Sequence, residues 1–426
     1  MSKFEQLGLS PKLTKRLDQS GFSTPTPIQS QAIPLALDGH DIMGLAQTGT
    51  GKTLAFGLPM IDTLLARSGK PAPKTVKALI LAPTRELVNQ ISDNLLALVK
   101  STPLRLVTVV GGQSMGHQIK QLERGTDILV ATPGRLIDHM DRGTVNLSTV
   151  RYLVLDEADQ MLDMGFIHAL RKIAPNLGTP RQTMLFSATM PKQMEELSRS
   201  YLTDPRRVQV APPGKTANKI EQSVLFMERA EKPRKLREML SADPDALTLV
   251  FARTKKGAER LKTKLVADGF SAASIHGNKS QGQRDQAIKA FRAGKVRILV
   301  ATDVAARGID IPGVAYVVNY DLPNVAEAYV HRIGRTARAG REGTAVSFCS
   351  PDETQQLRDI EKLIGRRFGT DGVDDSPPAP KLANSETASR PGRPPRRRRR
   401  RRRNVGAAPK AKAAKPASGS SIKKAS

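Results

Sequence analysis

The hydrophobic pattern along the chain predicts strands that alternate with helices. Several short apolar runs continue without polar interruption, which is typical of strands covered on both faces. Longer stretches with helical spacing, such as 85–101, separate these runs. The alternation therefore predicts an α/β fold with parallel sheets between layers of helices. The predicted strands are 41–45, 78–82, 105–110, 127–131, 152–155 and 183–187, followed by 248–252, 272–276, 297–301, 315–319 and 344–348.

A break in this pattern divides the chain. The alternation stops near residues 208–223, where the segment Pro212-Pro213-Gly214 favours an irregular connection, and then restarts. From Gly369 the sequence loses apolar residues and gains Pro, Ser, Ala and Arg, which is typical of disorder. We therefore predict two α/β domains, 1–208 and 222–368, a linker at 209–221 and a disordered tail at 369–426.

The net charge of +28 makes a polyanion the first class of partner to consider. Residues 371–426 hold 16 basic and four acidic residues, a balance of +12, so the rest of the chain contributes +16. The basic character therefore does not come from the tail alone. Tryptophan is absent and aromatic residues are few, which favours backbone contacts over base stacking in any nucleic-acid binding.

Cysteine content and hydropathy indicate the compartment. Cys349 is the single cysteine, which excludes an internal disulfide and a cysteine-based zinc site and is typical of a reducing compartment. The N-terminus lacks the apolar core of a signal peptide, and no apolar run approaches the length of a membrane span. We therefore expect a soluble cytoplasmic protein that does not associate with membranes.

A glycine-rich loop follows the first predicted strand and precedes a helix that begins at Leu54. Glycines in this context let backbone N–H groups surround phosphate oxygens, while Lys52 can reach the β- and γ-phosphates and the Thr53 hydroxyl can bind Mg²⁺. Ala46 stands at the first glycine of the strict phosphate-loop pattern. The candidate nucleotide-binding residues of the loop are Ala46, Gln47, Thr48, Gly49, Thr50, Gly51, Lys52 and Thr53.

Three acidic residues, Asp156, Glu157 and Asp159, follow the apolar run 152–155. The carboxyl ends of parallel strands are where open α/β sheets bind ligands. Alone, these acids would be interpreted as a solvated turn. Together with the phosphate loop they predict a Mg²⁺–ATP site, in which Asp156 holds the metal and Glu157 acts as general base or positions water.

The Asp-Glu-Ala-Asp tetrad after this loop resembles the signature of the DEAD-box RNA helicases. The resemblance covers almost all of residues 1–368, with its motifs in the family's order, and the Arg-rich tail resembles the bacterial RhlE-like branch. It implies two tandem RecA-like domains, ATP hydrolysis with Mg²⁺ on RNA-dependent closure of the cleft, and local separation of short RNA duplexes. We also expect sequence-independent RNA binding and a monomer.

The segment from Gly21 to Gln29 resembles the family's Q motif. The resemblance implies that the Gln29 amide, which can donate and accept in one plane, binds the edge of adenine. It also implies that Phe22 stacks on the ring, and Phe4 matches an isolated aromatic residue further upstream. The alternative for Phe22 is a buried position at the start of a helix.

Further motifs of the family imply coupling and catalytic roles. Ser187-Ala-Thr189 resembles the motif that couples nucleotide state to strand separation, with hydroxyls that bridge to acids such as Asp159; a helix N-cap is the plainer interpretation. The segment from His331 to Arg338 resembles the motif that supplies arginine fingers to the γ-phosphate. The residues implied are Ser187, Thr189, Asp159 and His331 for coupling, Arg335 and Arg338 for catalysis, and Asp310 for the ribose hydroxyls.

The resemblance also implies RNA contacts in the loops that follow the other strands. Many of their residues are small or offer backbone donors, which suits phosphates and 2′-hydroxyls better than bases. In the first domain the implied contacts are Pro83, Thr84, Arg85, Gly111, Gly112, Thr132, Pro133, Gly134 and Arg135. In the second domain they are Arg253, Thr254, His276, Gly277, Gln281, Arg284, Thr302 and Arg307.

One departure from the family pattern and the role of the tail leave alternatives open. Gln160 stands where many relatives carry Arg, which would weaken a local interdomain contact, and eight consecutive Arg at 396–403 predict a salt-sensitive tether to polyanions. The tether could serve RNA, ribosomal or RNA-degradation partners, in ribosome assembly or RNA turnover.

The competing functions are a DNA-directed helicase or translocase and a mainly non-catalytic RNA chaperone. A small-molecule kinase is disfavoured because it would not need the second domain.

Overall fold

The computed structural model describes residues 3–46, 49–67, 69–190, 192–210, 220–306, 311, 313–337 and 342–369. Within these residues the strands form one sheet of seven strands and one of six. The recorded strand pairs run parallel in both sheets. The predicted fold of two parallel-sheet α/β domains is therefore confirmed. Among these residues we find no helix with the length and apolar character needed to span a membrane.

The first domain contains the seven-stranded sheet. Its strands are β1 (Ile42–Leu45), β2 (Val76–Leu81), β3 (Leu106–Val109), β4 (Thr126–Ala131), β5 (Tyr152–Leu155), β6 (Gln182–Ser187) and β7 (Arg206–Gln209). Its helices are α1 (Pro11–Gln19), α2 (Pro27–Leu37), α3 (Lys52–Ala66), α4 (Arg85–Val99), α5 (Met115–Leu122), α6 (Pro133–Asp141), α7 (Ala158–Asp163), α8 (Ile167–Ile173) and α9 (Lys192–Tyr201). The strand order is β3-β4-β2-β5-β6-β1-β7.

The second domain repeats the design with six strands. They are β8 (Ile220–Phe226), β9 (Leu247–Phe251), β10 (Ala272–Ile275), β11 (Ile298–Ala301), β12 (Val314–Asn319) and β13 (Gly343–Cys349), in the order β10-β11-β9-β12-β13-β8. The helices are α10 (Lys232–Ala242), α11 (Lys255–Ala267), α12 (Gln281–Arg292), α13 (Asp303–Ala306), α14 (Ala326–Ile333) and α15 (Thr354–Ile364). Short 3₁₀ turns lie at Glu5–Leu7, Ala174–Asn176 and Pro351–Glu353.

Neighbouring residues of the central strands enter cores on opposite faces of the sheet. In β2, Ala78 and Ile80 pack with one cluster of buried residues, whereas Leu79 and Leu81 pack with another. Successive side chains of a strand point to opposite faces, and helices cover both faces here, so both sets must be apolar. This arrangement explains why the apolar runs in the sequence show no polar alternation.

Two strands were missed by the sequence pattern, β7 and β8. Each lies at the edge of its sheet, and each exposes alternate or polar residues such as Arg206, Arg207 and Glu221. An edge strand of this kind gives no continuous apolar run, so the hydrophobic pattern does not predict it. The predicted linker 209–221 begins at the end of β7 and ends inside β8, while residues 211–219 and the predicted tail from 370 onward lie outside the described residues.

The topology brings four strand ends together at one edge of the first sheet. The central order β2-β5-β6-β1 aligns the carboxyl ends of these parallel strands. The loops that follow Leu45, Leu81, Leu155 and Ser187 therefore leave from the same edge, where ligands of α/β sheets bind. The glycine-rich loop and the acidic tetrad belong to this edge.

Candidate functional site

The glycine-rich loop leads from β1 into α3 through two backbone positions in the left-handed region. Gly49 has φ +82 and Gly51 has φ +92. A Cβ added at Gly51 would lie 2.5 Å from Gln29 Nε2, so the position requires glycine both for its backbone angle and for space. Gly51 is the N-cap of α3, so Lys52 is the first residue of this helix and lies at its N-terminal end, which favours anions.

The remaining loop positions are less informative about ligands. Ala46 is buried, and its N–H donates to the Ser187 carbonyl at 3.0 Å. Thr50 is half-buried. Gln47 and Thr48, which were also predicted to bind nucleotide, lie outside the described residues.

The acids of the tetrad face Lys52 at the end of β5. Lys52 Nζ lies 3.6 Å from Asp156 Oδ1, and Lys52, Asp156 and Glu157 are each at most 6% exposed. Lys52 Nζ and Glu157 Oε2 are buried, and neither has a hydrogen-bond partner among the described residues. Buried charged groups normally make hydrogen bonds as well as ion pairs, so these two atoms point to an external ligand. Glu157 also has φ +52, a strained backbone of the kind found at functional sites.

Burial controls the protonation of the two acids. It raises the pKa of Asp156 and of Glu157, and the neighbouring Lys52 ammonium opposes this shift in both. Arg335 of the second domain also acts to lower the pKa of Glu157. A further cation at this position would therefore favour the ionised carboxylates.

Asp156 and Thr53 fit a magnesium ion that is only partly held by the protein. In the part of the chain that the structure describes, no group of three or more His, Cys, Asp or Glu side chains could hold a metal ion by itself. Mg²⁺ commonly uses one or two protein oxygens and completes its shell with water and phosphate. One carboxylate and one hydroxyl beside a phosphate loop match that requirement.

A cavity of about 260 Å³ joins these groups, a size near the lower end of small-molecule sites. Its lining includes the predicted residues Phe22, Gln29, Gly49, Gly51, Lys52, Thr53, Asp156, Glu157 and Arg335. It also includes Thr24, Thr26, Leu54, Leu87, Gln90 and Asn94, which the sequence reasoning missed. Leu87, Gln90 and Asn94 occupy one face of α4 at helical spacing, a signal that could have identified them once α4 was placed beside the loop.

Gln29 connects the start of α2 to the glycine-rich loop. Its Nε2 donates to the Gly51 carbonyl at 3.0 Å, and its Oε1 accepts from the Thr26 N–H at 2.9 Å. A primary amide has two donor hydrogens and two acceptor positions, so each atom retains one for a ligand. Phe22 lines the cavity and is 43% exposed, which contradicts the alternative of a buried ring. Phe4 is 1% exposed in the core, so its role is packing.

The second domain contributes Arg335 to this cavity. Arg335 follows α14, is 4% exposed, and its Nε donates to the His331 carbonyl at 3.1 Å. The cavity is therefore lined by both domains. Arg338 and Asp310, the other residues that the second domain was expected to supply, lie outside the described residues.

Asp159 is the centre of the predicted coupling group. Its Oδ2 accepts from the Ala188 N–H at 3.0 Å, from the Thr189 N–H at 2.9 Å and from the Thr189 hydroxyl at 3.0 Å. His331 Nε2 of the second domain lies 3.8 Å from the same oxygen. Burial would raise the pKa of Asp159, but His331 and the other neighbours outweigh it and hold this pKa below its usual value.

The Ser187 hydroxyl differs from expectation, because it does not bridge to an acid. The Ser187 hydroxyl donates to the Thr189 carbonyl at 2.7 Å, so only Thr189 supplies a hydroxyl to the acids. The three donors already on Asp159 Oδ2 explain why a second hydroxyl is not needed there. Gln160 is fully buried, and neither polar atom of its amide has a hydrogen-bond partner among the described residues; nothing in the structure explains this burial.

In the first domain, the loops with predicted RNA contacts converge. A Cβ added at Gly112 would lie 2.1 Å from Arg85 Nη1, so the guanidinium packs directly on this glycine. Arg135 Nη1 donates to the Gln113 carbonyl at 3.2 Å, and the Thr84 hydroxyl caps α4. Of the other predicted residues, Pro83, Thr132 and Pro133 are buried, and Gly111 and Gly134 are half-buried.

In the second domain, several predicted RNA residues are bound to neighbouring side chains. The Arg253 guanidinium binds Glu353, and the backbone N–H of Arg253 donates to Asp321 Oδ2 at 2.9 Å. His276 Nε2 lies 3.1 Å from Glu259. Thr254 caps α11, and a Cβ added at Gly277 would lie 3.0 Å from Lys255. Thr302 is buried before α13, and Arg307 lies outside the described residues.

A polar cluster joins the domains through α4 and α12. Arg85 Nη1 donates to Gln281 Oε1 at 3.1 Å, and Gln281 Nε2 donates to Glu86 Oε1 at 3.1 Å. Arg284 Nη2 lies 2.9 Å from the same Glu86 oxygen. Three residues predicted to bind RNA thus contact the opposite domain, and Glu86, which the sequence reasoning missed, connects them.

Two family models match the chain. The DEAD/DEAH box helicase model covers residues 26–197, and the helicase conserved C-terminal domain model covers 231–340. The ATP-dependent RNA helicase CshA of Listeria monocytogenes is 44% identical over 368 residues, which cover 86% of this chain and 70% of that protein. The DEAD-box ATP-dependent RNA helicase CshA of Bacillus subtilis is 42% identical over 365 residues, which cover 86% and 73%.

Solved structures show the same two-domain arrangement. S. cerevisiae Dbp5 bound to RNA and ADP BeF3 aligns with a TM-score of 0.76 at 32% identity, covering 86% of this chain and 94% of that one. Mss116p bound to ssRNA and AMP-PNP aligns with a TM-score of 0.77 at 30% identity, covering 85% and 77%. Family models over both domains and relatives above 40% identity over most of each chain agree with the tetrad, the phosphate loop and the two-domain cavity. The chain therefore belongs to the DEAD-box family and is an ATP-dependent RNA helicase built from two RecA-like domains.

Proposed function

We propose that the chain binds Mg²⁺–ATP in the two-domain cavity and hydrolyses ATP when RNA holds the domains together. The observation that carries this proposal is the lining of the cavity, in which Arg335 of the second domain joins Lys52, Asp156 and Glu157 of the first. The catalytic set is complete only while the domains are in contact. ATPase activity should therefore depend on RNA.

Each side chain has a separate role in this proposal. Lys52 and Arg335 neutralise charge on the terminal phosphates, and Glu157 orients the attacking water or accepts its proton. Asp156 and Thr53 would hold Mg²⁺, which supplies charge neutralisation at the phosphate oxygens. These assignments are supported by Lys52 Nζ and Glu157 Oε2, which are buried and have no hydrogen-bond partner among the described residues. Gln29 and Phe22 bind the base, and we assign Arg338 and Asp310 the roles implied by the family motif.

RNA is the proposed ligand of the convergent loops. Dbp5 and Mss116p, which share this fold, are described as bound to RNA and to ssRNA. A strand that crosses both domains would favour the same contact that Arg85, Glu86, Gln281 and Arg284 make. Two ligands that both bind the closed conformation more tightly raise each other's affinity, so RNA should tighten ATP binding and ATP should tighten RNA binding. Closure that bends one strand would expel its partner and separate a short duplex.

The finer assignments rest on the sequence. The RhlE-like branch is supported by the composition of the tail, whereas the curated relatives named above are CshA proteins. We also propose the domains 1–208 and 222–368, which β7 extends to Gln209 and β8 extends to Ile220, a monomer in the cytoplasm, and a salt-sensitive tether formed by 396–403. Ribosome assembly or RNA turnover is the process we propose.

Steady-state ATPase measurements test the proposal. Stimulation by single-stranded RNA should exceed stimulation by single-stranded DNA of equal length, and equal stimulation would favour the DNA-directed alternative. Arg335→Ala should lower the RNA-stimulated kcat by about 10³-fold, since an arginine finger contributes this much or more. The exposed Arg171 of the first domain provides the control Arg171→Ala, which should leave kcat unchanged. Duplex separation that survives Glu157→Gln with normal turnover would instead support a non-catalytic chaperone.

A further inference from the structure

A buried amide beneath the RNA-facing edge connects three elements of the first domain. Gln118 of α5 is 1% exposed, and its Nε2 donates to the Val110 carbonyl at 2.8 Å. Its Oε1 accepts from Arg135 Nη1 at 3.3 Å and lies 3.1 Å from Nε2 of His139, which is fully buried. One side chain thus contacts the end of β3 and the first two turns of α6.

The chemistry of these contacts fixes the proton on His139. Gln118 must present its NH₂ group to the Val110 carbonyl, so its oxygen faces His139 and can only accept. His139 therefore carries its proton on Nε2, and its Nδ1 lies 2.9 Å from the Thr144 hydroxyl, which itself donates to the His139 carbonyl at 3.0 Å. The result is a chain of donors from His139 through Gln118 to the Val110 carbonyl.

This chain of hydrogen bonds ends at the loops that we propose bind RNA. Val110 immediately precedes Gly111 and Gly112, on which the Arg85 guanidinium packs. Arg135 lies at the start of α6, and it is close enough to Arg85 to help lower the pKa of Arg85, for which burial is the main cause. The two cations repel each other, so an acceptor that holds Arg135 keeps both guanidinium groups at one edge.

We propose that Gln118 and His139 are positioning residues for RNA binding: they hold the Val110 carbonyl and the Arg135 guanidinium so that the 111–112 and 132–135 loops fit an RNA backbone. Neither residue touches the cavity that we assign to ATP. They act through the loops, because these hydrogen bonds hold the loops in place and small displacements of the loop groups would lower the affinity for RNA. The inference rests on the proposed function, since it assumes that these loops bind RNA.

The test uses the full-length protein and RNA-stimulated ATPase at about 200 mM salt, where nonspecific attraction to the Arg-rich tail is weakened. Gln118→Leu and His139→Phe should each raise the concentration of oligouridylate RNA that gives half-maximal stimulation by about tenfold, because each removes a buried hydrogen bond. The KM for ATP at saturating RNA should remain within about twofold. His139→Gln, which restores a donor to Gln118, should recover most of the RNA affinity.

Gln121→Leu on the same helix is the matched control, since it makes the same chemical change at a half-buried position outside the chain of donors. The inference is wrong if Gln118→Leu behaves as Gln121→Leu does, or if KM for ATP and RNA half-saturation rise together with a general loss of thermal stability. Arg135→Ala separates this failure from failure of the proposed function. If Arg135→Ala also leaves RNA half-saturation unchanged, the loops themselves do not bind RNA.

Discussion

The contact between Glu86 and Arg284 offers a quantitative test of domain closure. Arg284 Nη2 lies 2.9 Å from Glu86 Oε1, and the side chains of Arg284 and Glu86 are 16% and 8% exposed. The pair joins α4 of the first domain to α12 of the second, so it forms only while the domains touch. We expect Glu86→Gln and Arg284→Met each to weaken RNA stimulation, and we expect the two effects to be coupled.

Electrostatics sets the size of the coupling. Two unit charges at this separation attract by about 6 kcal/mol at an effective dielectric constant of about 20. Removal of both groups from water offsets much of this attraction, and coupling energies between sites are typically about 1–3 kcal/mol. We therefore expect a coupling of about 2 kcal/mol, equivalent to roughly 30-fold in the RNA concentration for half-maximal ATPase.

A double-mutant cycle measures this coupling. RNA half-saturation is determined at saturating ATP for the wild-type protein, for Glu86→Gln and Arg284→Met, and for the double variant. Asp141→Asn is the control, because Asp141 pairs with Lys172 within the first domain and both side chains are more than half exposed. Additive effects of the two single variants would refute the closure role and would leave Arg284 as a contact to RNA alone.

Three further substitutions give separate predictions. Gly51→Ala should abolish binding of a fluorescent ATP analogue and lower the melting temperature, because φ is +92 and the new Cβ would lie 2.5 Å from Gln29 Nε2. Thr189→Val removes one of the donors to Asp159 Oδ2, worth about 1 kcal/mol, and should slow strand displacement more than ATP hydrolysis in parallel assays. Burial lowers the folded-state pKa of His139 below its usual 6.5. The unfolded chain therefore binds a proton first on acidification, so the stability contributed by this group is complete above pH 6.5 and falls below it, by at most about 1.4 kcal/mol per pH unit. Thermal melts between pH 5 and 8 should show a shallower acid loss for His139→Phe than for the wild type, and parallel curves would contradict the assignment.

Local patterns were sufficient to predict the half of the site that lies on the first domain. The phosphate loop and the tetrad each follow a buried strand, and the strand, loop and helix together determine where Lys52 and Asp156 lie. The central strands were predictable for the same reason, since burial on both faces leaves an unbroken apolar run. Edge strands β7 and β8 were not predictable, because their exposed residues interrupt the apolar run.

Contacts between distant parts of the chain were not predictable. Glu86 and Gln281 are 195 positions apart, and nothing in the local sequence of either indicates the other. Gln118 and His139 are polar residues of the kind usually found at a surface, and the contact between their buried side chains is not indicated by the local sequence of either. Gln90 and Asn94 line the cavity because α4 lies beside the glycine-rich loop, which is a fact of tertiary structure.

The central claim is that RNA and ATP together bring the second domain to the Lys52–Glu157 site. Energy transfer between dyes on Arg171→Cys and Lys264→Cys, both exposed and one in each domain, measures this directly. The native Cys349 should remain unlabelled, because it is buried and its pKa is raised to about 11, mainly by burial. We predict a high-transfer state that is populated when RNA and a non-hydrolysable ATP analogue are both present and is lost when either is omitted. A transfer efficiency that does not change with RNA, while RNA still stimulates ATP hydrolysis, would contradict the account.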